Sequence, residues 1–501
     1  MDDGNFYGAL RSRFGGRKDA AMLTTPRDRG LTYGEMDARS AQMAGAFLSA
    51  GARPGDRVLV QVEKSAENIA AYLGAMRAGL VYVPLNTAYT DEEVAYFLGD
   101  AEPSIFVCDP DREDALAALA EKAGVNGVLT LDNADAGSLS RAADDASGTD
   151  VIQPRHHDDL AAILYTSGTT GRSKGAMLSH GGLAANALAL NRLWGFSAND
   201  ILLHALPVFH IHGLFVALHT AMLSACEILF LPKFDIAEIL GQMRRATVMM
   251  GVPTFYTRLL NEPEFGGKDA THMRLFISGS APLTEDTFAA FAERTGHRIL
   301  ERYGMSEAGM IASNPLNGER IAGTVGFALP GVELRVTNDN GAVLPATTPG
   351  HVEVKSDSLF KGYWRMPEKT KETFHDSWFV TGDVGALDKD GRLTLSGRAK
   401  DLIIAGGYNI YPKEVETVLD AVPGVVESAV VGAPHPDMGE GVVAVLVGDA
   451  QDDAVRYAVS SLAKFKRPRR LYWMDALPRN AMGKVQKQVL RERFANAFQG
   501  D

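Results

Sequence analysis

The segment Tyr165-Thr-Ser-Gly-Thr-Thr-Gly-Arg-Ser-Lys-Gly175 has the composition of a polyphosphate grip. Gly168 and Gly171 permit close backbone approach, Thr166, Ser167, Thr169 and Thr170 bring hydroxyls, and Lys174 brings a mobile positive charge. The spacing is not that of the common ATPase loop, which places lysine directly after its second glycine. Arg172 holds that position and Lys174 lies further on. A solvent loop rich in Gly, Ser and Thr is the plain alternative. The apolar run Leu160-Ala-Ala-Ile-Leu164 just before it predicts a buried strand. That strand would put the grip at a carboxyl end, where open α/β sheets bind ligands.

The elements that must position such a loop alternate along the chain. Spacing predicts helices over Tyr33 to Leu48 and Glu67 to Arg77, and strands at Arg57-Val-Leu-Val-Gln-Val62, Val81-Tyr-Val-Pro84, Ser104-Ile-Phe-Val-Cys108 and Gly127-Val-Leu-Thr130. Further strands are expected at Thr247-Val-Met-Met250 and Met273-Arg-Leu-Phe-Ile-Ser278. After about residue 325 the segments turn short and β-like, as in Glu333-Leu-Arg-Val336, His351-Val-Glu-Val354 and Arg392-Leu-Thr-Leu-Ser396. Past Lys400-Asp401, the strand candidate Val425-Val-Glu-Ser-Ala-Val-Val431 and later helical patterns suggest a separate module. The expected fold is a multidomain α/β protein: a large N-terminal layered α/β region with a β-rich subdomain over residues 1–396 and a small α+β C-terminal domain over 403–501.

Composition limits the function classes. The chain has 501 residues, 46% hydrophobic and 22% charged, so it can bury more than one core of the usual domain size. A net charge of -12 argues against broad binding to nucleic acid or to an anionic membrane. No apolar run reaches the roughly 18 residues a membrane span needs. Met1-Asp-Asp-Gly-Asn-Phe6 lacks the order of a secretory signal, so a cytoplasmic protein is expected. Cys108 and Cys226 are too few for a disulfide framework and have no metal-like spacing. Lys464, Lys466, Arg467, Arg469 and Arg470 form a local basic patch, for which a solvated face is the alternative.

Six segments in order resemble the adenylate-forming acyl-CoA synthetase superfamily: the 165–175 loop, Ser278-Gly-Ser-Ala-Pro282, Tyr303-Gly-Met-Ser-Glu307, Thr381-Gly-Asp383, Gly397-Arg-Ala-Lys-Asp401 and Pro478-Arg-Asn-Ala-Met-Gly-Lys484. The resemblance covers nearly the whole chain. It implies ATP, Mg²⁺ and coenzyme A: a carboxylate attacks the ATP α-phosphate, and a thiol then displaces AMP. It further implies that Lys174 and the loop hold the outer phosphates and that Glu307, with Thr170, binds Mg²⁺. Tyr303 would lie against adenine, bordered by Gly279, Ser280 and Ala281, with Glu301, Gly304, Met305 and Ser306 also in the nucleotide site. Asp383 would accept the ribose hydroxyls and Arg398 would bind ribose or phosphate.

By the same resemblance Lys484 stabilises the charge that builds up as one anion attacks another. The resemblance further implies that the small C-terminal domain is mobile about a hinge at 397–402: it then rotates about Lys400 and Asp401, bringing Gly406, Gly407 and Tyr408 to a pantetheine channel. Lys466 and Arg467 are candidates for coenzyme A phosphate, on charge alone. A lysine matching Lys484 is also a family target of an acetyltransferase and a deacetylase, which would erase its charge.

The acyl pocket decides the substrate. A fatty-acid pocket wants an apolar slot, since each buried methylene is worth about 0.8 kcal/mol. This chain places His210 and His212 in the matching segment, which suits a small or doubly charged acid. Leu206-Pro-Val-Phe-His-Ile-His-Gly-Leu-Phe215, Gly251-Val-Pro-Thr-Phe-Tyr256, Glu301-Arg-Tyr-Gly-Met305 and Pro478-Arg-Asn-Ala-Met-Gly-Lys-Val-Gln-Lys487 resemble the malonate-activating branch of the superfamily. That implies malonate, with methylmalonate as a second substrate, and a positive partner for the second carboxylate. Arg274 and Arg320 are the candidates, Arg320 the more selective; His210 would assist, and Ser280 and Met305 would border the acid. Ala308-Gly-Met310 departs from that branch and keeps a short-chain or aryl acyl-CoA ligase as the alternative. Transfer to a carrier-protein thiol is less expected, with no carrier-like segment before Asp501, and a non-catalytic nucleotide-binding regulator is a third reading.

Overall fold

Runs of four fully buried residues, such as Val81–Pro84, Ile105–Cys108 and Leu275–Ser278, are what parallel strands covered on both faces require. The computed structural model describes residues 4–25, 30–125, 127–132, 134, 136–148, 150–166, 173–405, 408–480 and 483–499. Among them, a six-stranded sheet runs in the order Gly127–Thr130, Ile105–Cys108, Arg57–Gln61, Val81–Pro84, Leu160–Thr166, Lys174–Ser179. It is parallel except for the last strand, which folds back antiparallel with Thr166 opposite Lys174. The expected strand at 160–164 is therefore the first of two antiparallel strands, and the second begins at Lys174.

A nine-stranded sheet holds the rest of the large region. Its parallel centre has Leu300–Met305, Leu275–Ser278, Val248–Gly251, Ile201–His204 and Glu227–Phe230 as successive neighbours. Helices separate the two sheets and cover them. The helix Tyr33–Ser49 shows how sequence sets a boundary: Glu35 N–H donates to Thr32 Oγ1 at 3.2 Å, and Thr32 N–H donates back to the Glu35 carboxylate at 2.8 Å.

The short segments beyond 325 form the expected β-rich subdomain, an antiparallel five-stranded sheet that includes Val332–Thr337, Gly350–Ser356, Trp378–Leu387 and Leu393–Arg398. A second five-stranded sheet begins at Ile403–Ala405 and is built on the long hairpin Val425–His435 and Gly439–Gly448. With the helices Pro412–Asp420, Asp452–Ala458 and Lys487–Arg493 it makes a smaller α+β domain with its own apolar cores. No helix among the described residues is long and apolar enough to cross a membrane.

Candidate active site

Four adjacent parallel strands of the nine-stranded sheet point their carboxyl ends at one cleft. The loop after Ile201–His204 brings His210 and His212, Leu275–Ser278 leads to Gly279 and Ser280, and Leu300–Met305 carries Glu301, Arg302 and Tyr303. The segment after Val248–Gly251 brings Thr254, which the C-terminal domain approaches: a Cβ at Gly483 would lie 3.6 Å from Thr254 Oγ1. This is the crevice that open α/β sheets use for ligands.

One wall is a network around Asp383. The Tyr303 hydroxyl donates to its carboxylate, and Arg398 Nε lies 2.7 Å from Oδ1. Asp383 N–H donates to Thr381 Oγ1 at 3.1 Å. Burial, reinforced by Asp383, holds the Tyr303 phenol well above its ordinary range. A carboxylate has about four acceptor positions, so two such contacts leave room for ribose hydroxyls.

A second cluster joins the hairpin to the turn that follows Leu300–Met305. Lys174 Nζ lies 4.4 Å from the Tyr363 ring centroid, and the Tyr363 hydroxyl donates to Glu307 Oε1 at 3.0 Å. Glu307 is buried, and its carbonyl accepts from Phe360 N–H at 2.7 Å. Partial burial, with Lys369 nearby, draws the Lys174 ammonium below its usual value, while Glu307 and Glu372 oppose that. Gly304, Met305 and Ser306 lead into the turn carrying Glu307. Ser167, Gly168, Thr169, Thr170 and Gly171 lie outside the described residues, as do Gly406 and Gly407.

Lys484 enters from the C-terminal domain. Its backbone N–H donates to Asn480 Oδ1 at 3.0 Å in a tight turn. The ammonium stays solvent-accessible yet crowded, and enclosure by the cleft, then Arg398, lowers its pKa, with Asp383 acting in the opposite sense. Lys484 also bears on His210, so the predicted catalytic lysine and the predicted acyl-pocket histidine meet in one cleft.

The acid pocket differs from the sequence expectation in its charge. Arg274 forms an ion pair with Asp200 at 2.6 Å and donates to the carbonyls of Trp194 and Gly195. Arg320 donates to the carbonyls of Pro315, Arg298 and Leu316. Neither guanidinium is brought to His210, because other chain groups already occupy both. Arg302, which the sequence reading passed over, is there instead: it is 3% exposed, and its Nε and Nη2 have no partner among the described residues. It lies so close under Gly279 that a Cβ there would sit 2.5 Å from Arg302 Cζ. Burial pushes the guanidinium down to about 9, still charged at neutral pH. An arginine inside a run of buried strand residues was the one available signal.

The histidines are donors rather than cations. His210 Nδ1 accepts from the His212 backbone N–H at 3.2 Å, which leaves Nε2 protonated in the neutral ring. Burial, then Arg302 and Lys484, holds His210 down at about 4, and burial, then Arg302, holds His212 well below its usual range. His212 Nδ1 shares a hydrogen bond with Ser280 Oγ at 3.2 Å, while its buried Nε2 has no partner among the described residues. Ser280 keeps φ at 72°, a left-handed conformation rare for serine and typical of a site held by its surroundings. Ala281, next along the chain from Ser280, and Met305, at the end of its strand, are both partly buried.

The remaining candidates lie on the C-terminal domain and at its junction. Lys466 pairs with Glu414 at 2.5 Å, and Arg467 donates to the carbonyls of Leu462 and Ser460, which orient its guanidinium without neutralising it. Tyr408 is 57% exposed and stacks on Phe465. At the expected hinge, Asp401 is held by Arg491 at 2.5 Å, and Arg491 also donates to the Lys400 carbonyl.

Comparison with known proteins agrees with this geometry. Residues 10–364 match the AMP-binding enzyme family and residues 414–484 match the AMP-binding enzyme C-terminal domain. The malonate–CoA ligase of Arabidopsis thaliana is 36% identical over 484 residues, 89% of this chain and 79% of that one. A long-chain-fatty-acid–CoA ligase of Mycobacterium tuberculosis is 33% identical over 483 residues, 95% of each chain. The crystal structure of ATP-bound MatB from Rhodopseudomonas palustris is 51% identical, covers 99% of this chain and 100% of its own, and superposes with a TM-score of 0.97. The apo form of MatB, at the same identity and coverage, gives 0.86.

Proposed function

The chain belongs to the AMP-binding enzyme family, and from that premise we propose that it is an acid–thiol ligase that converts malonate, ATP and coenzyme A to malonyl-CoA, AMP and diphosphate. Relatives at similar identity are named for malonate and for long-chain acids, so sequence likeness alone does not choose the acid. The observation that carries the choice is the buried Arg302 guanidinium with two unpartnered nitrogens beside His210 and His212. An unpaired buried charge is costly, and a second carboxylate on the substrate would relieve it. An alkyl chain would not. Methylmalonate, which adds one methyl to the same two carboxylates, would be a second substrate.

In the first half-reaction a malonate oxygen attacks the ATP α-phosphorus and the bond to the bridging oxygen breaks, releasing diphosphate. Arg302 would hold the distal carboxylate and His210 Nε2–H would donate to the acid, so that the reacting carboxylate faces Lys484. Lys484 would offset the negative charge that grows between the two anions, a task needing no proton transfer. Asp383 and Arg398 would hold the ribose and its phosphate, with Lys174 against the outer phosphates. Glu307, a hard buried carboxylate one oxygen of which Tyr363 leaves accessible to other partners, would hold Mg²⁺ with Thr170. The ion would neutralise phosphate charge.

In the second half-reaction the coenzyme A thiolate attacks the acyl carbon and AMP leaves, after rotation of residues 403–501 about 397–402. Lys484 is accessible enough for acetylation, which would remove the charge and stop adenylation; fully acetylated protein with full activity would contradict this. We place the reaction in the cytoplasm, where ATP and coenzyme A are at hand.

The test is coenzyme A-dependent AMP formation with malonate, methylmalonate, acetate, butyrate and benzoate, repeated with Arg302→Gln. Malonate should be the preferred acid, and the variant should lose roughly a hundredfold in kcat/KM for malonate, the cost of one unpaired buried charge, with little change for acetate. A wild-type preference for a monocarboxylate, or an equal loss for both acids, would reject the reading.

A further inference from the structure

Lys64 belongs to none of the groups assigned to the reaction. It follows the strand Arg57–Gln61 of the six-stranded sheet and is buried. Its Nζ lies 2.8 Å from His204 Nδ1, 2.9 Å from the His204 carbonyl oxygen and 4.2 Å from the Phe230 ring centroid. His204 and Phe230 end neighbouring strands of the nine-stranded sheet. Lys64 thus reaches from one sheet to the carboxyl edge of the other, the edge from which the acid pocket is built. Burying an amine there is costly, and burial draws its ammonium well below the ordinary range.

The hydrogen bonds fix a tautomer. His204 Nε2 lies 3.1 Å from the Gly213 carbonyl oxygen, which can only accept, so Nε2 carries the ring proton. Nδ1 is then bare and accepts from Lys64. Gly213 lies in the π-helical turn His212–Leu218, and it fits only as glycine, since a Cβ would fall 2.0 Å from the Pro207 carbonyl oxygen. Such wide turns are uncommon and gather at functional sites. This one starts at His212, which meets Ser280, and its first carbonyls continue from His210, whose oxygen accepts from Leu214 N–H at 3.0 Å.

We propose that Lys64 is a positioning residue for the acid pocket: by donating to His204 it holds the tautomer whose Nε2–H anchors the Gly213 carbonyl, and so keeps the wide turn that presents His210 and His212. The inference rests on the reading of this pocket as the acid site. Lys64→Met keeps an unbranched side chain one atom shorter and removes its donors; His204→Phe keeps a ring on Phe230 and removes both nitrogens. Steady-state rates of wild type, both single variants and the double variant would be measured with the acid the wild type uses best, varying acid and ATP separately. Each single variant should raise KM for the acid about tenfold while KM for ATP stays within about twofold, and the double variant should be no worse than the poorer single, because both act through one chain of contacts. Unchanged KM for the acid, an equal rise for ATP, or effects that multiply would overturn the proposal. The acid preference of the wild type, read in the same assay, separates failure of the dicarboxylate reading from failure of this one. Should Lys64→Met not fold, ¹⁵N-histidine spectra of the wild type decide instead: His204 must show a protonated Nε2 and a bare Nδ1, and the reverse tautomer would overturn the proposal.

Discussion

Glu301 keeps its proton to a higher pH than an ordinary carboxyl. It is 6% exposed, its Oε1 accepts from Leu283 N–H at 3.1 Å, and its Oε2 has no partner among the described residues. Burial pushes the carboxyl from its ordinary value of 4.5 up to about 7. Between those values the folded protein keeps a proton that the unfolded chain has lost, so stability falls as pH rises through that window and levels off above it. A shift of this size is worth on the order of 3 kcal/mol. Glu301→Gln stays neutral, so its melting temperature should match wild type near pH 5 and exceed it by a few degrees at pH 8; the same gap at both pH values would show that Glu301 does not titrate there. Glu301, Tyr303, Asp383 and Lys484 were legible because each lies in a string whose order along the chain is informative. Arg302 stands between Glu301 and Tyr303 and was not, since sequence does not reveal which guanidinium lacks a partner. Arg274 and Arg320 looked as available until Asp200 and a set of backbone carbonyls proved to hold them.

At the scale of elements, the turn that carries Lys484 matters as much as the lysine. Asn480 Oδ1 accepts from Lys484 N–H, Asn480 N–H donates to the Lys484 carbonyl at 3.0 Å, and Gly483 supplies a φ of 74° that other residues resist. Asn480→Ala removes one side-chain bond, worth about 1 kcal/mol, from a group that must be aimed at a developing charge. Diphosphate exchange into ATP should therefore slow about fivefold, while thioester formation from supplied acyl-adenylate keeps its rate; equal slowing of both would mean that the turn serves stability alone. The central parallel strands were readable in the sequence because burial on both faces leaves an unbroken apolar run, as at Ile105–Cys108. The strand Lys174–Ser179 was not, because its first residue reads as part of the glycine-rich loop and only pairing with Leu160–Thr166 makes it a strand. The π-helical turn at His212–Leu218 has no periodic signature distinct from an α-helix, so its contacts with His204 and Ser280 emerge only in three dimensions.

For the whole molecule, the proposed rotation requires one arrangement for adenylation and another for thioester formation. The described arrangement has Lys484 facing Asp383 and Arg398, and it superposes better on ATP-bound MatB than on the apo form, 0.97 against 0.86. Within it, Arg491 of the helix Lys487–Arg493 grips Asp401 and the Lys400 carbonyl, tying the far end of the C-terminal domain to the segment about which rotation is proposed. Turning the backbone at Asp401 would carry its carboxylate away from Arg491 or drag the helix with it. The pair is partly buried, with 22% and 15% of the two side chains exposed, so it should favour this arrangement by about 1 kcal/mol. Arg491→Ala should accordingly lower the diphosphate-exchange rate severalfold and leave, or raise, the rate at which supplied acyl-adenylate becomes thioester. Lys484→Ala sets the reference, expected to abolish the first half-reaction and spare the second, because in the proposed mechanism only the first uses its charge. If Arg491→Ala slowed thioester formation instead, the grip on Asp401 would belong to the rotated arrangement, and the hinge would be held by other contacts while ATP is bound.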